Sequence, residues 1–347
     1  LFRSSKEGKG ILVRGVSVAK KFTTEGNTRI ESSGAGIGFD KTTSNGQGEI
    51  EFKKGSKTFV KGGIAGVFAR YNNVTFEEGS DTTLIGGAYG LMANKGTIKK
   101  GAKVTLMGNY GTGKFEVKEH DRLTFESGSE LNILANNSAL YGIRLVGKTK
   151  LIAKGYNVLR QIDTYADGEH SLDTVTFEKG SILDGNIDRS WNSQFLLEEG
   201  TKLFVPNKIQ ANLEIKGDLY VGPRSAYEGK QKTYKETVEK SSDVDTVVGA
   251  TAIFMGKQAQ RARKGEIKYG KTYDDFSANE YYTLKYNENS YNYKSTLNLN
   301  NGKIHLRLGT PDRLGRINDK IIFSKNTVIN GKGELVFHKR NSSQVKI

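Results

Sequence analysis

The stretches Ile50-Glu51-Phe52-Lys53-Lys54-Gly55-Ser56 and Val74-Thr75-Phe76-Glu77-Glu78-Gly79-Ser80 are the same phrase written twice. It returns as Thr97-Ile98-Lys99-Lys100-Gly101-Ala102 and Leu123-Thr124-Phe125-Glu126-Ser127-Gly128-Ser129. Two more copies are Val175-Thr176-Phe177-Glu178-Lys179-Gly180-Ser181 and Phe195-Leu196-Leu197-Glu198-Glu199-Gly200-Thr201. The glycines step by 24, 22, 27, 52 and 20 residues, and Leu145-Val146-Gly147-Lys148 bridges the long step. In Val74-Thr75-Phe76 apolar residues alternate with a polar one, the period of a strand with one buried face. The polar pair and glycine that follow form an exposed turn in which glycine takes a backbone angle that other residues resist. A second short strand follows, such as Thr83-Leu84-Ile85 or Val104-Thr105-Leu106.

A strand, a tight turn, a second strand and a looser turn every ~22 residues describe one coil of a parallel β-helix, an all-β solenoid. Leucine-rich repeats need a leucine and asparagine ladder that is absent, propeller blades need ~40 residues or more, and helical repeats need apolar spacings of three and four. Wound throughout at ~22 residues per coil, the chain makes on the order of 14 coils and a rod of roughly 65–70 Å. Such a rod presents long flanks and no deep pocket by default.

Composition narrows the classes further. The chain has 347 residues, 53 basic and 38 acidic side chains for a formal charge of +15, 42 glycines, 3 prolines and no cysteine. High glycine with scarce proline excludes collagen and Pro/Gly low-complexity chains. Without sulfur there are no disulfides, thiol nucleophiles or cysteine-ligated zinc. Mean hydropathy is −0.55, and no run approaches the ~20 apolar residues of a membrane helix. Residues Leu1–Lys6 have no apolar signal core and no start methionine, so the chain reads as a mature piece or a fragment. The sequons at Asn73, Asn136 and Asn341 carry no weight if the source is bacterial.

Three segments follow: regular coils over 1–222, irregular coils with protruding loops over 223–294, and regular coils again over 295–347. The middle segment holds a helix-compatible run, 231–240, and a short apolar element, Ala250–Met255. It also holds a basic stretch with Lys257, Arg261, Arg263 and Lys264, followed by Tyr269, Tyr273, Tyr281 and Tyr282. Basic side chains attract anionic partners and tyrosines supply rigid amphipathic contact area. These eight residues are the candidate ligand-binding set; ordinary packing of the tyrosines on the solenoid is the competing reading.

Other motifs reduce to structure. Gly108-Asn109-Tyr110-Gly111-Thr112-Gly113-Lys114-Phe115 follows the start of a phosphate loop, but Phe115 stands where Ser or Thr must hold magnesium. It is expected to be a turn between coils, as is Gly34-Ala35-Gly36-Ile37-Gly38. Asp163, Asp167, Asp173, Asp184 and Asp188, with Arg160 and Arg189 nearby, are the only candidates for the paired carboxylates of a glycosidase. They read as solvated turn residues. Glu77, Glu78, Glu126 and Glu178 recur at one coil position and mark a structural turn ladder. His120, His170, His305 and His338 are too dispersed in sequence for a triad or a metal cluster. No catalytic residue, cofactor or metal is expected.

Near the end, Ser295-Thr296-Leu297-Asn298-Leu299-Asn300-Asn301-Gly302-Lys303-Ile304-His305-Leu306 resembles a coil from the C-terminal part of autotransporter passenger domains. Asn318-Asp319-Lys320-Ile321-Ile322-Phe323 and Ile329-Asn330-Gly331-Lys332-Gly333-Glu334-Leu335-Val336-Phe337 look like the family's next step. The resemblance implies a pertactin-like right-handed β-helix, exported by Gram-negative type V secretion and held at the outer membrane by a barrel that this chain lacks. It implies an adhesin, not an enzyme, binding glycans or proteins on host or bacterial cells, anionic ones in view of the +15 charge, with no dedicated nucleic-acid partner. A β-helical polysaccharide lyase or glycosidase and a purely structural stalk are the alternatives.

Overall fold

The computed structural model describes residues 16–18, 20–39, 48–113, 122–164, 173–229, 251–254, 295–308, 319–323 and 327–339. The strands in the first half are β1 (Val16–Val18), β2 (Lys21–Thr24), β3 (Asn27–Ser32), β4 (Ala35–Phe39), β5 (Glu49–Phe52), β6 (Lys57–Gly62), β7 (Ala65–Phe76) and β8 (Asp81–Gly86). Then come β9 (Tyr89–Ile98), β10 (Lys103–Gly113), β11 (Leu123–Phe125), β12 (Glu130–Tyr141), β13 (Leu145–Arg160), β14 (Thr174–Phe177) and β15 (Ile182–Leu197). The last are β16 (Lys202–Val205), β17 (Lys208–Ile215), β18 (Asp218–Val221), β19 (Thr251–Phe254), β20 (Ser295–Leu308), β21 (Lys320–Phe323) and β22 (Thr327–Lys339). One four-residue helix, α1 (Ser225–Glu228), follows β18.

The described residues are therefore all-β, joined in one 22-stranded sheet of parallel strand pairs. Strands pair with others one to three places along the chain, as β12 does with β13, β6 with β8 and β3 with β6. This is the pairing of a solenoid, in which each lap lies on the one before. Longer strands such as β7, β10 and β15 bend and serve two faces of the same lap.

The recurring phrase behaves as its chemistry requires. Gly55, Gly79, Gly101, Gly128, Gly180 and Gly200 all have φ between 67° and 84°. In each case the next residue's N–H donates to the carbonyl three positions earlier, from Ser56 to Lys53, Ser80 to Glu77 and so on to Thr201 and Glu198. Positive φ at the third position of a four-residue turn is the geometry of type II, which favours glycine. The residue after each glycine points inward: Ser56, Ser80, Ala102, Ser129, Ser181 and Thr201 are all buried. Among them, Ser181 Oγ donates to the Glu178 carbonyl at 2.6 Å, satisfying a hydroxyl within the core wall.

Inward side chains form columns. Phe52, Phe76, Ile98 and Phe125 stand in register on successive laps, all nearly inaccessible, with the Phe52 and Phe76 rings stacked 4.8 Å apart. Outside, the expected turn ladder is present. Glu77 accepts from Lys99 Nζ at 2.8 Å, Glu78 pairs with Lys54 at 3.2 Å, Glu126 accepts from the Lys100 amide, and Glu178 accepts from Ser127 Oγ.

Two expectations need correction. Gly34–Gly38 is not a turn: Ala35–Phe39 is β4, and Gly36 is there because a Cβ would lie 2.3 Å from Val60 Cγ1 and 2.7 Å from the Gly66 carbonyl. Through Gly113, the stretch beginning at Gly108 is not a turn between coils but part of β10; the register shifts between Gly108 and Tyr110, where the strand rounds a corner. Leu213 lies directly against Leu297, and Leu219 against Ile304, and β19 is the only described strand between β18 and β20.

The last lap is open. Ile329, Leu335 and Phe337 continue the columns of Leu297, Ile304 and Leu306, yet they are 46%, 60% and 56% exposed where the lap beneath is buried. Among the described residues β22 pairs with β20, and β21 with β19.

Two glycine replacements separate backbone strain from crowding. Gly55→Ala meets nothing within 4 Å and costs only the left-handed backbone angle, about 1 kcal/mol. Gly86→Ala puts a Cβ 1.9 Å from the Tyr89 carbonyl oxygen and 2.7 Å from Ala65 Cα, both backbone atoms that cannot swing aside. Urea unfolding should show the second variant clearly less stable than the first; equal losses would remove close backbone approach as the reason for Gly86.

Candidate functional site

Four of the five aspartates considered for catalysis are engaged by other groups. Asp163 pairs with Arg144 at 3.4 Å and Asp173 with Arg122 at 3.5 Å, while Asp188 lies between Arg160, at 3.3 Å, and Lys208. Asp184 is buried, and burial pushes its carboxyl up, against the pull of the Arg224 amide that donates to it at 3.0 Å. Arg189 turns its backbone, with φ of 52°, to donate its amide to Gln210 Oε1. Asp163, Asp173 and Asp188 each lie beside a cation, the first two with side chains 31% and 29% exposed and the third buried. Asp167 lies outside the described residues.

A second arrangement occupies the flank of β9, β10 and β12. Tyr89 stacks on Tyr110 with centroids 5.2 Å apart, Tyr110 lies against Tyr141 at 5.4 Å, and Arg160 sits over Tyr141 at 5.3 Å. All are half-buried. Parallel stacking places them, because side chains on successive laps fall about one strand spacing apart. Burial first, then the adjoining phenols, pushes the Tyr89 hydroxyl up. Asn137 Nδ2 donates to the Tyr110 hydroxyl at 3.3 Å. The result is a strip of aromatic edges and polar groups ending in a guanidinium.

The densest polar cluster lies near the C-terminal end. Phe204, Tyr220 and His305 stack on consecutive laps, with centroids 4.5 Å and then 4.1 Å apart. Tyr227 of α1 packs edge-on against Tyr220 and His338. Its hydroxyl lies 2.8 Å from the Val221 carbonyl, 3.2 Å from the His305 carbonyl and 3.1 Å from Asp319 Oδ2. Asp319 also receives Nε and Nη2 of Arg307, each at 2.8 Å, and the Arg307 amide. Burial, reinforced by the Asp218 charge, pushes the Tyr220 phenol up to about 12, and burial with Asp319 raises Tyr227 further. Both remain protonated, and Tyr227 holds α1 onto the solenoid.

Two of the four histidines meet in the fold. His305 and His338 are 33 residues apart but on adjoining laps, with His305 Nδ1 2.8 Å from His338 Nε2. On its other side, His305 Nε2 is 2.8 Å from Asp218 Oδ1. An Asp218–His305–His338 chain thus crosses three laps. His120 and His170 lie outside the described residues.

Lys257, Arg261, Arg263, Lys264, Tyr269, Tyr273, Tyr281 and Tyr282 also lie outside the described residues, as does the run 231–240; of Ala250–Met255, the part Thr251–Phe254 is strand β19. Among the described residues no group of three or more His, Asp or Glu is placed to hold a metal ion, and no helix is long and apolar enough to cross a membrane.

Fold and clusters together define an all-β protein built on a long parallel sheet, with polar ladders on its flanks. Comparison with protein-family models, curated proteins and solved structures gives no match.

Proposed function

We propose that the chain is a right-handed β-helical passenger of an exported bacterial surface adhesin. It attaches non-covalently to glycans or proteins of host or bacterial cells, without turnover. It works at the cell surface, joined in its precursor to an outer-membrane translocator barrel. The observation that carries this reading is the Tyr89–Tyr110–Tyr141–Arg160 strip, which repeats from lap to lap along a flank. Repetition at one strand spacing suits a linear ligand and polyvalent contact, in which many weak interactions sum. The net charge of +15 favours anionic partners. The basic residues Lys257, Arg261, Arg263 and Lys264, with Tyr269, Tyr273, Tyr281 and Tyr282, form the second contact region of the proposal.

The test is binding of the purified chain to immobilised sialylated and sulfated glycans and to cells, across a salt series. Replacement of Lys257, Arg261, Arg263 and Lys264 by Ala should weaken binding several-fold at low salt and flatten its salt dependence. Tyr141→Ala should weaken it at every salt concentration. Unchanged binding in both variants would remove both surfaces from the hypothesis. Shortening of an anionic polysaccharide by the chain would replace the adhesin with a lyase or glycosidase.

A further inference from the structure

We propose that the Asp218–His305–His338 chain is an acid-opened clasp that fastens the last described lap, β22, to β20. The hydrogen-bond chemistry of two facing imidazoles sets the condition. With both rings neutral, His305 Nε2–H donates to Asp218 and His305 Nδ1 accepts from His338 Nε2–H. With one added proton, His305 donates to both neighbours and His338 Nε2 accepts. With a second added proton, two N–H groups and two cations face each other across 2.8 Å, and the link fails.

The surroundings oppose a proton on His338. Facing His305 are Asp218 and Tyr220 of β18, Tyr227 of α1, and His338 of β22. Facing His338 are His305 and, paired with it across the strands, Arg307 of β20, together with Tyr227. Asp319 lies near enough to favour the His338 cation, but its carboxylate is engaged by Arg307. Burial and the His305 charge depress the His338 imidazolium below its ordinary range. A depressed folded-state pKa means that the unfolded segment binds more protons. The clasp's contribution is therefore complete above the ordinary histidine value of about 6.5 and is lost as pH falls through the folded-state value. The last lap is the place where this matters, since its apolar column residues are already half exposed.

Hydrogen exchange of the intact chain at pH 7.5 and pH 5.0, corrected for intrinsic exchange rates, tests the clasp. Opening of β22 amides should rise on the order of tenfold at the lower pH, while β12 and β13 amides stay unchanged. In His338→Phe, which keeps a ring against Tyr227 but cannot titrate, β22 opening should be the same at both pH values. If that variant leaves β22 open throughout, His338→Gln decides: its amide can still bond His305, so pH-independent protection supports the clasp. A pH-independent wild type, or wild-type pH dependence retained in the deciding variant, overturns it.

Discussion

Asp319→Ala should destabilise the C-terminal laps by about 3–5 kcal/mol, the usual result of stranding a buried charge. Arg307 and Asp319 have side chains 8% and 1% exposed and meet through two 2.8 Å bonds. Without the carboxylate, the guanidinium keeps its desolvation cost and loses its counter-charge, and the Arg307 amide and Tyr227 hydroxyl lose an acceptor. The double replacement Arg307→Met with Asp319→Leu should recover most of the loss, because an apolar pair of similar volume needs no solvation. Denaturation followed by exchange of β20 and β21 amides measures both. A single variant within about 0.5 kcal/mol of wild type would show that the pair contributes no more than an exposed one.

Phe76→Ala should cost about 3–5 kcal/mol in the N-terminal laps. The ring is inaccessible, stacked on Phe52 and in register with Ile98, so its removal opens a cavity bounded by aromatic and aliphatic side chains. Stacked laps contact mainly their neighbours, which confines the damage. Exchange should accelerate in β5, β7 and β9 and remain unchanged in β17 and β20. Glu78→Ala, breaking the exposed pair with Lys54, should leave the unfolding midpoint where it is. Uniform acceleration along the chain would contradict the confinement and require a cooperative core instead.

The turns and inward columns were legible because both are local. Glycine at the third turn position and apolar alternation before it are set by dihedral angles and strand pleat within seven residues. Contacts between laps were not legible, since the number of residues in a lap varies. The register of Leu213 on Leu297, which brings strands from either side of 223–294 against each other, has no local signal in the sequence. The His305–His338 contact was missed for a related reason: 33 residues of separation give no hint of adjacency. Asp319 was visible as part of an Asn-Asp-apolar motif, but its partner Arg307 was not, because nothing local identifies a buried arginine. Gly36 looked like a turn residue until the close approach of Val60 gave it another role.

The exposed apolar residues of β22 have a colloidal consequence. Ile329, Leu335 and Phe337 present an apolar surface beside a row of backbone groups, the combination that templates edge-to-edge growth. Exposed Lys320 and Lys332 lie on the same lap, and a like-charged lysine row opposes the approach of a second molecule. Their repulsion reaches only about 8–10 Å at physiological salt and shortens as salt is added. Concentrated, high-salt solutions therefore remove the protection while leaving the sticky surface intact, so the chain is best kept dilute and at low ionic strength.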